Sequence, residues 1–316
     1  MPIRIPDNLP ASDVLQRENI FCISSSDAEH QDIRPLKILL LNLMPKKIET
    51  EIHLLRMLAN SPLQVDVELM RINERPSKNT PIEHMETFYK SFNDVRHNKY
   101  DGMIITGAPL GQKEFTEVSF WDDMKTIMDW TTTNVTSTMF LCWAVQAAMY
   151  HLYDIEKRIL KEKISGVYPH HLVKPLSPIV RGFDDVFDAP HSRYAEVPYD
   201  DIATLREIEI VAASGIAGVY VAARKDGRQL FITGHSEYEP LCLKGEYERD
   251  LSAGLAPAIP ENYFPGNDPK QDPIVTWKSH GNLLFSNWLN YYVYQLSPFD
   301  MSTIGKKFAR IPMQLA

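Results

Sequence analysis

The sequence predicts an α/β fold on a doubly wound, mostly parallel sheet, and three features predict it. Short apolar runs alternate with stretches of helical periodicity through the first half of the chain. Several of those runs end at small or reactive residues, as strands do where they open into a ligand crevice. In the second half Asp226-Gly227-Arg228 separates two apolar runs, which adds a hairpin of antiparallel strands.

After a polar N-terminal arm over residues 1–35, the run Leu36-Lys37-Ile38-Leu39-Leu40-Leu41-Asn42-Leu43-Met44 is apolar and short enough for a buried strand, which Pro45 ends. Ile48, Ile52, Leu55 and Leu58 then share one helical face, and Asn60-Ser61-Pro62 stops the helix. Val65, Val67 and Leu69 alternate as a second strand. Met103-Ile104-Ile105-Thr106 makes a third, ending at Gly107-Ala108-Pro109. A short amphipathic helix lies between Trp121 and Trp130. A fourth strand, over about 138–141, runs directly into Cys142 and a helix-compatible stretch at 144–149. The hairpin joins 219–223 to 229–233, and 257–273, rich in proline, asparagine and aspartate, reads as a loop before an aromatic helix over 282–294. Without an internal repeat or low-complexity linker, 36–300 reads as a single α/β domain and 301–316 as a C-terminal tail.

With 316 residues, 44% of them hydrophobic, the chain can bury a substantial core. Its start has no apolar run of signal-peptide length, and no window approaches the roughly 18 uncharged apolar residues of a membrane helix. A cytoplasmic protein is expected. Cys22, Cys142 and Cys242 are odd in number and have neither disulfide-framework nor metal-site spacing, so reduced thiols are expected. A net charge of -8 without a basic block argues against nucleic acid and anionic membrane as partners.

The chemistry gathers at strand ends. A cysteine at a sharp strand-to-helix turn projects into the crevice, where amides and the helix dipole favour its thiolate; Cys142 is so placed, although Phe140-Leu141-Cys142-Trp143 alone fits a buried core cysteine equally well. In Phe231-Ile232-Thr233-Gly234-His235-Ser236-Glu237 the histidine follows a glycine and has a carboxylate two residues on. This suits a base and the group that orients it, against the simpler reading of an exposed loop histidine. The third strand end, Gly107-Ala108-Pro109-Leu110-Gly111, is either a plain turn or a small-residue loop that lets a substrate reach the backbone. The amide of Trp143 with that of Ala108 or Leu110 then forms an oxyanion hole, Pro109 having no donor.

These segments, with Leu43-Met44-Pro45-Lys46-Lys47-Ile48-Glu49-Thr50-Glu51, Gly182-Phe183-Asp184-Asp185, Ala189-Pro190-His191-Ser192-Arg193-Tyr194 and Ser279-His280-Gly281-Asn282-Leu283-Leu284-Phe285, closely resemble the homoserine O-succinyltransferase family over about residues 2–300. The resemblance implies a class I glutamine-amidotransferase-like fold with a Cys142–His235–Glu237 triad. It further implies succinyl-CoA as co-substrate, L-homoserine as acceptor and no tightly bound cofactor or metal; a homodimer is expected. Relative to amidotransferase relatives, Phe140 and Ala144 stand where glycines flank the nucleophile, and Ser236 where a proline is common.

For a zwitterionic acceptor, Glu246 and Arg249, three apart on a helix, share a face and suit its ammonium and carboxylate. The resemblance points to Arg249, Lys163 and Ser192 as substrate contacts; from the residues alone each is an ordinary solvated side chain. Family members with glutamate at the position of Gly111 tend to use acetyl-CoA and those with glycine succinyl-CoA. The physics agrees, since a glutamate crowds and repels the succinyl carboxylate. The rival expectations are acetyl-CoA as donor, a same-fold amidase or glutamine amidotransferase releasing ammonia, a thiol redox sensor, and a metal hydrolase using His170, His171 and His191.

Overall fold

The stretch expected as a polar arm contributes to the sheet in the computed structural model, which describes residues 3–6, 8–17, 22–24, 34–72, 79–298 and 300–305. Its β1 (Ile3–Ile5) and β2 (Cys22–Ser24) flank the short helix α1 (Ala11–Arg17), and β1 pairs in parallel with both β2 and the later strand through Asp66. The greater part of the expected tail, 306–316, lies outside the described residues.

The parallel centre follows the apolar runs. In chain order it comprises β3 (Leu36–Leu41), α2 (Lys47–Ala59), β4 (Val65–Met70), α3 (Ile82–Phe88), β5 (Tyr89–Lys90), α4 (Phe92–Val95), β6 (Tyr100–Ile105), α5 (Trp121–Asn134), β7 (Val135–Leu141) and α6 (Trp143–Tyr153). An antiparallel extension follows: β8 (Arg158–Leu172), β9 (Val186–Glu196), α7 (Tyr199–Ala203), β10 (Ile208–Ser214), β11 (Gly218–Arg224) and β12 (Gln229–Ile232). Then come α8 (Cys242–Ser252) and α9 (Lys278–Asn287), the latter continuing as a π-helical stretch, Trp288–Tyr294. The sheet order is β2-β1-β4-β3-β6-β7-β12-β11-β10-β8-β9, with β5 beside β4. β12 bridges the halves, parallel to β7 and antiparallel to β11.

Alternation along β3 feeds two cores. Ile38 and Leu40 pack with Leu54 and Leu58 of α2 and Leu284 and Phe285 of α9 on one face; Leu39 and Leu41 pack with Met124 and Ile127 of α5 and Trp143 and Ala147 of α6 on the other. Two local differences from the sequence reading have polar causes. β6 begins three residues before its apolar run because the buried Asp101 carboxylate is satisfied by the Arg34 guanidinium at 2.9 and 3.1 Å and the Lys37 amide at 2.8 Å. On α2 the fully buried residues include Glu51, while Ile48 and Ile52 are half-buried. Glu51 is tolerated inside because the Tyr89 hydroxyl donates to it at 2.6 Å and His84 lies 3.0 Å away.

The loop over 257–273 is pinned where it passes the extension. Val167 donates its N–H to the Glu261 carbonyl at 2.8 Å and Glu261 returns one to Ser165 at 2.9 Å. Only a glycine fits between, since a Cβ on Gly166 would lie 2.4 Å from the Glu261 carbonyl oxygen. No helix among the described residues is long and apolar enough to cross a membrane.

Candidate active site

Cys142 sits between the last residue of β7 and the first of α6 at φ 49°, ψ -109°, a backbone region that residues with a Cβ rarely adopt and that costs about 1–3 kcal/mol. Hydrogen bonds on both sides hold it there. Its N–H donates to the Ile232 carbonyl of β12 at 2.8 Å, and its carbonyl accepts the Val145 N–H at 3.0 Å. The elbow forms without glycines at Phe140 and Ala144, which are both fully buried. The necessary room comes from across the crevice: a Cβ on Gly107, just past β6, would stand 3.2 Å from the Cys142 Cβ.

The loop after β12 carries His235 and Glu237. His235 donates its backbone N–H to the Pro190 carbonyl of β9 at 2.8 Å, and its Nδ1 lies 2.7 Å from Glu237 Oε1, both side chains being buried. Its ring also interacts with the Cys142 side chain. Burial alone would depress the imidazole pKa, but negative charge on Cys142 and Glu237, with their hydrogen bonds, raises it well above its ordinary value. Ser236, where a proline is common, is fixed differently: its hydroxyl bonds the Tyr220 hydroxyl, and a Cβ on Gly281 would lie 2.8 Å from its carbonyl oxygen.

Trp143 occupies the first position of α6, where a backbone N–H has no intrahelical acceptor, and its nitrogen is 3.6 Å from the Cβ position of Gly107. The Leu110 N–H donates to the Ala108 carbonyl at 2.8 Å, so a tight turn occupies that amide. Among the described residues no acceptor engages the Ala108 N–H, which makes it the better partner for Trp143. Gly111 follows, its carbonyl accepting Lys157 Nζ at 2.9 Å; the nearest atoms to a Cβ there would be the Ala195 amide nitrogen and Cβ and the Tyr194 amide nitrogen, at an ordinary 3.8–4.0 Å.

The four proposed acceptor contacts come from three elements. A register shift in the β8–β9 pairing between Ile159 and Ile164 covers Lys163, as bulges do where they re-aim side chains. Lys163 Nζ lies 3.1 Å from Glu246 and 3.5 Å from Asp250. Ser192 on β9 donates its hydroxyl to Glu246, and so does Tyr238, at 2.8 Å. Burial pushes the Glu246 carboxyl up, but Lys163, Ser192 and Tyr238 outweigh it and hold the pKa below the ordinary value. Arg249 does not meet Glu246 directly; it is 64% exposed and donates to the buried carboxylate of Asp250 at 2.7 and 2.9 Å. Tyr238 and Asp250 are therefore additions to the sequence-derived set. Tyr238 stacks on the His235 ring, centroids 4.2 Å apart at 19°, and thereby links His235 to the Glu246 cluster. It lay unassigned one residue beyond Glu237, and Asp250 one beyond Arg249.

The three histidines of the metal reading separate. His170 and His191 are buried with their Nε2 atoms 3.0 Å apart, whereas His171, on the opposite face of β8, is exposed. Burial pulls His170 down to about 3 and His191 well below the ordinary value, so the pair is neutral. Among the described residues no group of three or more potential ligands converges.

A glutamine amidotransferase from Thermotoga maritima superposes with a TM-score of 0.53 at 12% identity, covering 83% of this chain and all of that one. The fold is that of the class I glutamine-amidotransferase-like proteins. The Homoserine O-succinyltransferase family description matches residues 2–299. Proteins of that name from Tolumonas auensis and Aeromonas hydrophila are 59% identical over 315 residues and 60% identical over 308, covering 100% and 98% of this chain and 100% and 97% of their own lengths. The chain belongs to the homoserine O-succinyltransferase family.

Proposed function

We propose that the protein transfers a succinyl group from succinyl-CoA to the γ-hydroxyl of L-homoserine through an acyl-enzyme on Cys142, giving O-succinyl-L-homoserine for methionine biosynthesis. The observation that carries this reading is the Cys142–His235–Glu237 arrangement, a part-exposed thiol beside a buried His235–Glu237 pair in 2.7 Å contact, in a chain of this family. The Cys142 thiolate attacks the thioester carbonyl, the Trp143 and Ala108 amides hold the oxyanion, and CoA leaves as its thiol. His235 then removes the proton of the homoserine hydroxyl, which attacks the acyl-enzyme and frees the Cys142 sulfur. Within this reading succinyl-CoA is a co-substrate rather than a resident cofactor, and the enzyme acts in the cytoplasm. Whole-protein mass spectrometry after mixing with succinyl-CoA tests the proposal. A succinyl adduct on Cys142 that homoserine discharges is expected; full turnover with no adduct would sink it.

The acceptor is held by opposite charges at its two ends. Glu246 takes the ammonium and Arg249 the carboxylate, with Lys163 and Ser192 lining the same region. Arg249→Ala is expected to raise the half-saturating homoserine concentration about ten- to a hundredfold, the worth of one charge-assisted hydrogen bond, while the succinylation burst stays at its wild-type rate. An unchanged homoserine dependence would refute the assignment.

The donor preference rests on Gly111, where space and absence of negative charge admit a carboxylate-tipped acyl group. Parallel assays should favour succinyl-CoA over acetyl-CoA, and Gly111→Glu should lower the succinyl rate more than the acetyl rate. A wild-type preference for acetyl-CoA would show the donor to be the shorter acyl group.

A further inference from the structure

Behind the nucleophile lies a narrow cleft lined by Cys142, Gln146, Thr233, Glu196 and Arg193, closed by valines. Arg193, on β9, is only 6% exposed, and a guanidinium so buried needs nearby negative charge. Its partners supply little. One Nη donates to His191 Nδ1 and the other to the Ala217 carbonyl, both neutral acceptors, and its buried Nε–H has no partner among the described residues. The nearest carboxylate, Glu196, is 3.9 Å away and is shared with Arg158.

The histidines cannot supply that charge. Arginine only donates, so His191 Nδ1 is an acceptor and its proton sits on Nε2, which donates to His170 Nε2. This neutral chain steers the guanidinium without balancing it. The other group lining the cleft that can carry negative charge is the Cys142 sulfur, and burial, which works against the Arg193 charge, is opposed first by Cys142 and next by Glu196 and Tyr168.

We infer that Arg193 is a second cation, besides His235, that keeps Cys142 in its anionic form: an electrostatic positioning residue beneath the nucleophile. The inference rests on the reading of Cys142 as nucleophile. His235 faces the sulfur from the loop after β12 and can give its proton away during turnover; Arg193 faces it from β9 and cannot. The other charged or titratable groups around the sulfur and the Arg193 guanidinium are Glu237 and Tyr238 on the His235 loop, Glu196 and neutral His191 on β9, and Tyr168 on β8. The first turn of α6 presents only the amide of Gln146. When His235 protonates the departing CoA sulfur or takes the homoserine proton, Arg193 holds its charge constant.

The test is the pH dependence of Cys142 alkylation by iodoacetamide, read by peptide mapping so that Cys22 and Cys242 do not contribute. Arg193→Met should move the acid limb of the profile up by about one pH unit, and Arg193→Lys by less. Glu196→Gln, which removes the competing carboxylate, should move it down. Circular dichroism reports whether each variant folds. If Arg193→Met does not, the Lys and Gln variants decide, and Gln without a downward shift overturns the inference. Profiles of folded Arg193 variants that overlay the wild type also overturn it and leave Arg193 a strut for β9. Alkylation needs no acyl transfer, so failure of the acyl-enzyme reading, seen in the mass-spectrometric adduct, is distinguishable from failure here.

Discussion

Cys142→Ala is expected to lower succinyl transfer by at least about a thousandfold and to abolish the covalent adduct while the fold persists. Binding and the oxyanion amides alone can still favour direct attack by homoserine, so a small residual rate is consistent with the mechanism. The variant also removes a sulfur whose charge, as thiolate, and hydrogen bond are among the influences raising the pKa of His235. In Cys142→Ala the imidazole should therefore titrate at lower pH than in the wild type, which NMR of the ring protons can follow. Normal turnover in this variant would mean that the sulfur carries no acyl group.

Replacing His235 by asparagine should cost about a hundred- to ten-thousandfold in turnover, because in the proposed mechanism both half-reactions move a proton at this ring. Asparagine keeps a polar group near Glu237 but neither accepts the homoserine proton nor pairs with the Cys142 charge. Two rates can be read apart. Pre-steady-state release of CoA reports acylation, and discharge of a preformed adduct by homoserine reports deacylation; both should fall. A loss confined to deacylation would show that the thiolate forms without His235, and a turnover within a few-fold of the wild type would remove the residue from the mechanism.

The strand ends that carry those two residues are legible in the sequence, but their proposed roles are not. A core cysteine and an exposed loop histidine fit the local residues as well, and only the family resemblance joins them. An apolar run closing on Cys142 and another closing on Gly234-His235 are legible from residue order alone, as is the Asp226-Gly227-Arg228 hairpin. The long β8–β9 ribbon was not. Its outer half is rich in charge, Lys161-Glu162-Lys163, its inner half carries Pro169 and two histidines, and no period-2 apolar pattern survives the bulge. The strands within the expected N-terminal arm escaped for another reason: three residues each are too few to show alternation. At the site, helical spacing put Glu246 and Arg249 on one element, but it could not foresee that Asp250 would hold the arginine. That depends on which carboxylate is buried, a tertiary property. The assignment of Ser236 in place of proline became explicable only once Tyr220, sixteen residues earlier, was seen to reach its hydroxyl.

The backbone at Cys142 carries a consequence for how the protein tolerates change. At φ 49°, ψ -109° glycine is at ease and cysteine is not. A Cys142→Gly chain should consequently melt at a higher temperature than the wild type, even though it is inert. Selection for heat resistance alone would thus drift away from the reactive sulfur, and only a screen that also demands turnover retains it. The elbow is a point of local frustration, where the chain's own folding preference and its chemistry ask for different residues.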